Sequence, residues 1–142
     1  MNKNIVSLLR ISLGFVFLWA FFDKLFGLGF ATAVDKAWIN GGSPTYGFLT
    51  FATKGPFAMF FKSIAGNPLV DWIFMIGLLA VGVSLIFNYL VKIGSIAGLL
   101  MVMLMYLAVF PPENNPIVDD HIIYALVFIL LAYQAKSLPE KS

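Results

Sequence analysis

The sequence predicts an all-α membrane protein, a bundle of four transmembrane helices built from a single domain of 142 residues. Composition is the first observation, because 61% of the residues are hydrophobic and only 11% are charged, whereas about a quarter of a soluble domain is charged. The second is that the apolar residues form runs of about 20, the length that crosses a bilayer core of ~30 Å. A soluble domain of this size could not bury so much apolar surface, so lipid must surround most of it.

The apolar runs predict spans over residues 5–26, 68–88, 90–110 and 117–135. The charged pair Asp23-Lys24 near the end of the first run disfavours cleavage as a signal peptide, so we expect a retained helix. A short break at Asn88-Tyr89 joins the second and third spans as an antiparallel hairpin. Four spans place both termini on one side, and the excess of lysine and arginine there predicts that both termini are cytoplasmic. We expect the bundle to lie in the cytoplasmic membrane.

Residues 27–66 form the loop between the first two spans, and they are too apolar for a free linker. Gly41-Gly42 is a helix stop, and Ser43 before Pro44 is a good helix start. We therefore predict short helices over residues 31–40, 44–53 and 56–65. Their many aromatic rings favour the membrane interface, so these helices should lie on the outer surface or dip into it.

The fourth span opens with Asp119-Asp120-His121, which contains the only histidine of the chain. At about 100° per residue, Asp120, His121 and Tyr124 lie within one sector of a helix, while Asp119 faces a different direction. A carboxylate beside an imidazole forms a proton relay, since histidine titrates near neutrality. We predict Asp120 and His121 as catalytic residues, with Tyr124 binding substrate. The alternative is that the acidic residues only complement the helix dipole, worth ~0.3–1 kcal/mol.

Arg10 and Lys24 are the basic residues of the first span, on nearly the same face and ~21 Å apart. Charge within a span is costly and indicates function, so both are candidate binding residues. Arg10 could instead extend to the cytoplasmic surface. We expect Lys24 to pair with Asp71 or Asp120, or to hold a small anion beneath the aromatic loop.

Several kinds of chemistry are excluded by composition. The chain has no cysteine, which removes disulfides, thiolate catalysis and cysteine-held metal clusters, and one histidine cannot provide a bis-histidine haem site. We predict no metal site and no covalently bound cofactor. The net charge of +2 is too small and too dispersed to indicate nucleic-acid binding.

With these residues assembled, the chain resembles the DoxX/DoxD family of small four-helix membrane proteins over nearly its whole length. The resemblance is carried by Arg10-x-x-x-Gly14 through Lys24, the loop Trp38-Ile-Asn-Gly-Gly-Ser-Pro-Thr45, Gly55-Pro56, and the run Pro111-Pro-Glu-Asn-Asn-Pro-Ile-Val-Asp-Asp-His121 with Tyr124. It implies a role like that of the DoxD subunit of thiosulfate:quinone oxidoreductase. That enzyme oxidises thiosulfate to tetrathionate and reduces membrane quinone together with a DoxA partner, which here would be a separate polypeptide.

The leading hypothesis is therefore the membrane subunit of a quinone-linked oxidoreductase of the thiosulfate type. Its outer pocket would comprise Lys24, Trp38, Asp71, Asp120, His121 and Tyr124. Without cysteines, haem ligands or a nucleotide motif the chain cannot store an electron, so electrons would pass directly between bound reductant and bound quinone, or through a partner. The resemblance implies quinone as the electron acceptor. The expected partners are membrane lipid, a small anion such as thiosulfate, and a separate protein or larger membrane complex. The second hypothesis is a non-catalytic accessory or anchor subunit of a respiratory or redox complex, and a transporter is the third.

Overall fold

A computed structural model of the chain describes residues 2–137 and contains no strand within that range. Its α-helices are α1 (Lys3–Phe26), α2 (Ala58–Ser63), α3 (Pro68–Phe87), α4 (Val91–Val109) and α5 (Asp120–Ser137). The loop between α1 and α3 also contains 3₁₀ turns at Val34–Lys36 and Trp38–Asn40 and a π-helical turn at Phe48–Ala52. The all-α prediction is thus confirmed.

Three helices, α1, α3 and α4, are long and apolar enough to cross a membrane. Their outward faces carry large apolar side chains such as Phe15, Ile76 and Leu104, each more than half exposed. Such continuous apolar surface is suited to lipid rather than water. The chain is therefore a multi-pass membrane protein. The apolar part of α5 described by the structure, Asp120–Ala135, is shorter, so the fourth span stays a prediction.

The long helices pack in the order α1, α3, α4, α5, while α1 and α5 meet over a shorter stretch. Their shared core includes the buried side chains of Phe17, Val81, Val102 and Phe128. Close approach depends on small residues: a Cβ added at Gly98 would lie 2.3 Å from the Phe128 ring. Glycine at this position therefore lets α5 pack directly on α4.

The start of α3 follows the sequence prediction. The Asn67 side chain accepts the backbone N–H of Leu69 at 2.9 Å, and Pro68 is the first helical residue. This is the usual N-cap arrangement, in which the side-chain oxygen replaces a missing helical hydrogen bond.

The start of α5 differs from the prediction, because the helix begins at Asp120 and not at Ile117. The Asn115 side chain accepts the N–H groups of Ile117 and Val118, so it stabilises a turn before the helix. Asp119 performs the capping instead: its Oδ1 accepts the N–H of His121 at 2.9 Å. The helix therefore begins three residues after the predicted start of the fourth span, at about residue 117.

The loop between α1 and α3 contains less regular helix than predicted. The Ser43 Oγ accepts the N–H of Tyr46 at 3.1 Å and so stabilises a turn, but the π-helical turn that follows begins at Phe48, with Gly47 as its N-cap. Residues 31–40 form 3₁₀ turns rather than one helix, and within 44–53 the regular part is the π-helical turn. The third predicted helix is present as α2. Leu49 and Phe61 of this loop pack on Ala108 near the end of α4, which fixes the loop against the bundle.

Candidate functional site

A cavity of about 160 Å³ lies between α1 and α5, towards the end of the bundle that carries the loop. We call it the inner cavity. Its lining comes from all four long helices: Val16, Phe17, Ala20, Lys24, Phe74, Leu78, Val102, Met105, His121 and Tyr124. The walls are mostly apolar, and Lys24, His121 and Tyr124 supply the polar groups. The structure thus brings together three of the site residues that the sequence predicts.

The position of the inner cavity follows from how α1 and α5 meet. The Phe17 and Phe128 rings contact each other edge to face, with centroids 5.4 Å apart. Nearer the loop, the small Ala20 and then Lys24 line the cavity from α1, together with His121 and Tyr124 from α5. Val16, which also lines the cavity, is 43% exposed on the outside of the bundle. The cavity therefore lies close to the lipid-facing surface on this side.

A second, larger space of about 650 Å³ lies on the loop side of the bundle, between residues 51–54 and 109–121. We call it the loop-side groove. Its charged lining residues are Lys54, Glu113, Asp119, Asp120 and His121. The Glu113 carboxylate is 3.8 Å from the Lys54 ammonium, and its side chain is 85% exposed, so the groove is open to water. His121 lines both the groove and the inner cavity.

Asp119 holds the His121 ring between these two spaces. The ring Nδ1 lies 2.9 Å from Oδ2 of Asp119, while Oδ1 of the same carboxylate accepts the His121 backbone N–H. Burial alone would raise the pKa of the Asp119 carboxyl. Hydrogen bonds from the His121 ring and from the Ile122 and His121 amides outweigh burial and lower that pKa below its usual value. Asp119 is therefore the carboxylate partner of the imidazole.

The sequence predicts Asp120 as that partner, and this prediction is wrong. Asp120 is the first residue of α5 and lines the loop-side groove without a hydrogen bond to the ring. Asp119 precedes the helix, and a capping side chain folds back over the first turn. That geometry carries its second oxygen to the ring two positions later. The signal was available in the sequence, because aspartate is among the best N-cap residues.

Lys24 lines the inner cavity, with its ammonium 6.0 Å from the centroid of the Phe74 ring. A cation at this distance from an aromatic face is attracted by the ring electrons. In the part of the chain that the structure describes, no ion pair joins Lys24 to Asp71 or Asp120. The predicted pairing is therefore wrong.

The reason lies in the contacts of Asp71. Its buried carboxylate accepts hydrogen bonds from the hydroxyls of Ser43 at 2.7 Å and Thr45 at 2.6 Å. Trp38 contacts Trp72 edge to face, with centroids 4.8 Å apart. These contacts attach the loop to the first turns of α3, and neither Asp71 nor Trp38 lines either space.

Arg10 lies near the opposite end of α1, away from both spaces. Its guanidinium donates to the backbone carbonyls of Leu85 and Ile86, at the C-terminal end of α3. Those carbonyls have no partner within the helix, and a cation there also complements the helix dipole. Arg10 thus joins α1 to α3.

Among residues 2–137 there is no group of three or more histidine, cysteine, aspartate or glutamate side chains arranged to hold a metal ion. Comparison of the chain with protein-family models, with curated proteins and with solved structures gives no match.

Proposed function

We propose that this chain is the membrane subunit of a quinone-linked oxidoreductase and that the quinone ring binds in the inner cavity. The observation that carries the proposal is the joining of Lys24, His121 and Tyr124 at one apolar cavity. Small-molecule sites are typically apolar with a few convergent polar groups. The resemblance to the DoxX/DoxD family supports the same function.

The size of the inner cavity is suited to a single ring. An apolar protein cavity of about 150 Å³ accommodates benzene, and the inner cavity measures about 160 Å³. The carbonyl oxygens of a quinone require hydrogen-bond donors, which the polar lining residues can provide. A hydrocarbon tail would leave the cavity past the exposed Val16 towards lipid.

The polar residues have distinct roles in this proposal. Reduction of a quinone to a quinol consumes two electrons and two protons. The Lys24 ammonium stabilises the negative charge that develops on a ring oxygen as electrons arrive, a contribution that is large where water is excluded. His121 donates protons, and Tyr124 positions the ring.

We propose thiosulfate as the electron donor, on the strength of the family resemblance. Two thiosulfate ions join to give tetrathionate, and the two electrons released reduce the quinone. The loop-side groove carries the carboxylates Glu113, Asp119 and Asp120 against the single cation Lys54. It would therefore repel a dianion. We accordingly assign thiosulfate binding to a separate partner polypeptide.

We also propose that α5 is the fourth span and that both termini are cytoplasmic. α5 packs along α4, and its outward face is apolar, with Ile123, Leu126, Ile129 and Tyr133 exposed. A helix that has an apolar outward face and packs along a transmembrane helix must be surrounded by the same lipid. The loop, with exposed Phe51 and Phe60, would then lie at the external membrane interface.

The accessory-subunit hypothesis remains the second candidate. It is favoured by the contacts of Arg10, Trp38 and Asp71, since all three join parts of the bundle to one another. In that case the inner cavity would hold only lipid chains.

The experiment that tests the proposal measures quinone binding and quinone reduction by the purified protein in proteoliposomes. A short-chain quinone should raise the melting temperature of the wild type, and His121→Ala should remove most of that increase. Thiosulfate-dependent reduction, measured with the partner present, should fall about a hundredfold or more in His121→Ala, the usual effect of losing a proton donor. A wild type that shows no change in melting temperature with quinone would overturn the proposal.

A further inference from the structure

The His121 ring is placed between two spaces of different character. The inner cavity is mostly apolar, whereas the loop-side groove is wide, charged and open to water. The His121 side chain is 24% exposed, so it is partly buried and still reached by solvent. A titratable side chain at such a boundary is suited to moving protons from water to a dry site.

The contact with Asp119 selects one form of the ring. A carboxylate accepts hydrogen bonds only, so Nδ1, at 2.9 Å from Oδ2, must carry a proton. The neutral ring is then the Nδ1–H tautomer, with a lone pair on Nε2. Within the described residues, no other group forms a hydrogen bond with Nε2. That nitrogen is the one left to exchange a proton with a ligand or with water.

We infer that His121 transfers protons from the loop-side groove to the inner cavity and that Asp119 is the positioning residue that holds its ring for this transfer. The identity of the proton acceptor rests on the function proposed above. Protonated at Nε2, the ring gives that proton to a quinone oxygen as the electrons from thiosulfate arrive. It then takes up a proton from water of the groove. Two such transfers complete the quinol.

The charged and titratable groups around the ring come from several elements. Asp119 and Asp120 lie at the start of its own helix, and Lys24 faces the cavity from α1. Lys54 and Glu113 lie across the groove. Because the route opens to the loop side, both protons should be consumed from that side of the membrane, and the reaction should not draw protons from the cytoplasm.

The first experiment tests the route without turnover, using the single histidine of the chain. In protein labelled with ¹⁵N-histidine, the ring signals should show the Nδ1–H tautomer. Asp119→Asn retains a good helix cap but should shift the ring towards the other tautomer. Glu113→Gln, which removes a carboxylate from the same groove, should leave the tautomer unchanged. Equal spectra for the two variants would overturn the role of Asp119.

The same sample tests access from the loop side. The chain has no cysteine, so labelling of Lys36→Cys with an impermeant reagent reports the fraction of molecules whose loop faces outward. In vesicles with that orientation, an impermeant paramagnetic chelate added outside should broaden the His121 ring signals. Signals that stay sharp would overturn the route whether or not quinone binds.

The second experiment measures which side supplies the protons. Vesicles reducing quinone with thiosulfate and the partner present carry one pH indicator inside and another outside. Protons should disappear from the loop side, and the rate should fall about tenfold in Asp119→Asn while Glu113→Gln keeps the wild-type rate. Proton uptake from the opposite side would overturn the inference. Absence of turnover in the wild type would refute the proposed function, and the tautomer and access measurements would then still decide the route.

Discussion

Replacing Asp71 should destabilise the attachment of the loop without affecting the inner cavity. Asp71 is 7% exposed, and its carboxylate accepts hydrogen bonds from the hydroxyls of Ser43 and Thr45. A hydrogen bond to a charged group contributes about 1.5–3 kcal/mol, so Asp71→Ala should lower the free energy of unfolding by about 3 kcal/mol or more. Asp71→Asn keeps an oxygen acceptor but loses the charge, and should cost about 1–2 kcal/mol.

The assay is unfolding of the purified protein in mixed micelles, with protease cleavage of residues 27–66 as a local measurement. A double-mutant cycle of Asp71→Asn with Thr45→Val isolates the contribution of that hydrogen bond, because the two side chains are in direct contact. Quinone binding should be unchanged in Asp71→Asn. A loss of quinone binding with unchanged stability would refute the reasoning and return Asp71 to the set of binding residues.

Other substitutions and conditions test the cavity, the core and the pair around the histidine. Ala20→Phe places a ring in the inner cavity and should weaken binding of a short-chain quinone at least about tenfold, because each 1.4 kcal/mol of binding free energy lost is a tenfold loss of affinity. The control variant Ile76→Phe, on the lipid-facing surface, should bind the quinone as the wild type does. Gly98→Val should destabilise the protein by about 1–3 kcal/mol or more, measured by unfolding, because a Cβ at that position would lie 2.3 Å from the Phe128 ring; an unchanged stability would show that α4 and α5 do not pack as described. The pKa of Asp119 lies below its usual value of 3.8, so its stabilising contribution is complete above that pH and is lost as the pH falls through the lower folded value. The ¹⁵N signals of the histidine ring should report that loss, and a transition at or above 3.8 would contradict the lowered pKa.

Local signals in the sequence were sufficient for some helix ends and insufficient for others. Asn67 and Asn115 are each followed by proline, an apolar residue, valine and aspartate, a pattern that favours a helix start at both positions. Asn67 does cap α3, but Asn115 caps only a turn, because Asp119 is a second good cap closer to the apolar part of α5. Two competing caps within a few residues cannot be ranked from local preference alone.

The sequence predicts which residues of the candidate site lie at the same depth in the bundle, but not which of them are in contact. Lys24 ends the first span and His121 begins the last, so their meeting at the loop end follows from the span order. Which carboxylate each would contact depends on the folded loop. Ser43 and Thr45 reach Asp71 through tertiary structure of the loop, and no periodicity in the sequence encodes that contact.

The location of the cavity has a simple physical origin in the packing of the bundle. α1 packs mainly on α3 and α5 mainly on α4, so the contact between the first and last helices is the least extensive of the ring. Phe17 and Phe128 close this contact deeper in the bundle, and the inner cavity lies beside them, where Ala20 and Lys24 of α1 and His121 and Tyr124 of α5 contribute to its lining. Charges in the middle of a span are costly, so ionisable residues are best tolerated near helix ends. Lys24 lies in the last turn of α1 and His121 in the first turn of α5. In the proposed function, this incompletely closed contact between two helix ends would supply the apolar space for a ring and the polar groups to bind it, while His121, which lines both spaces, would connect the inner cavity to the loop-side groove.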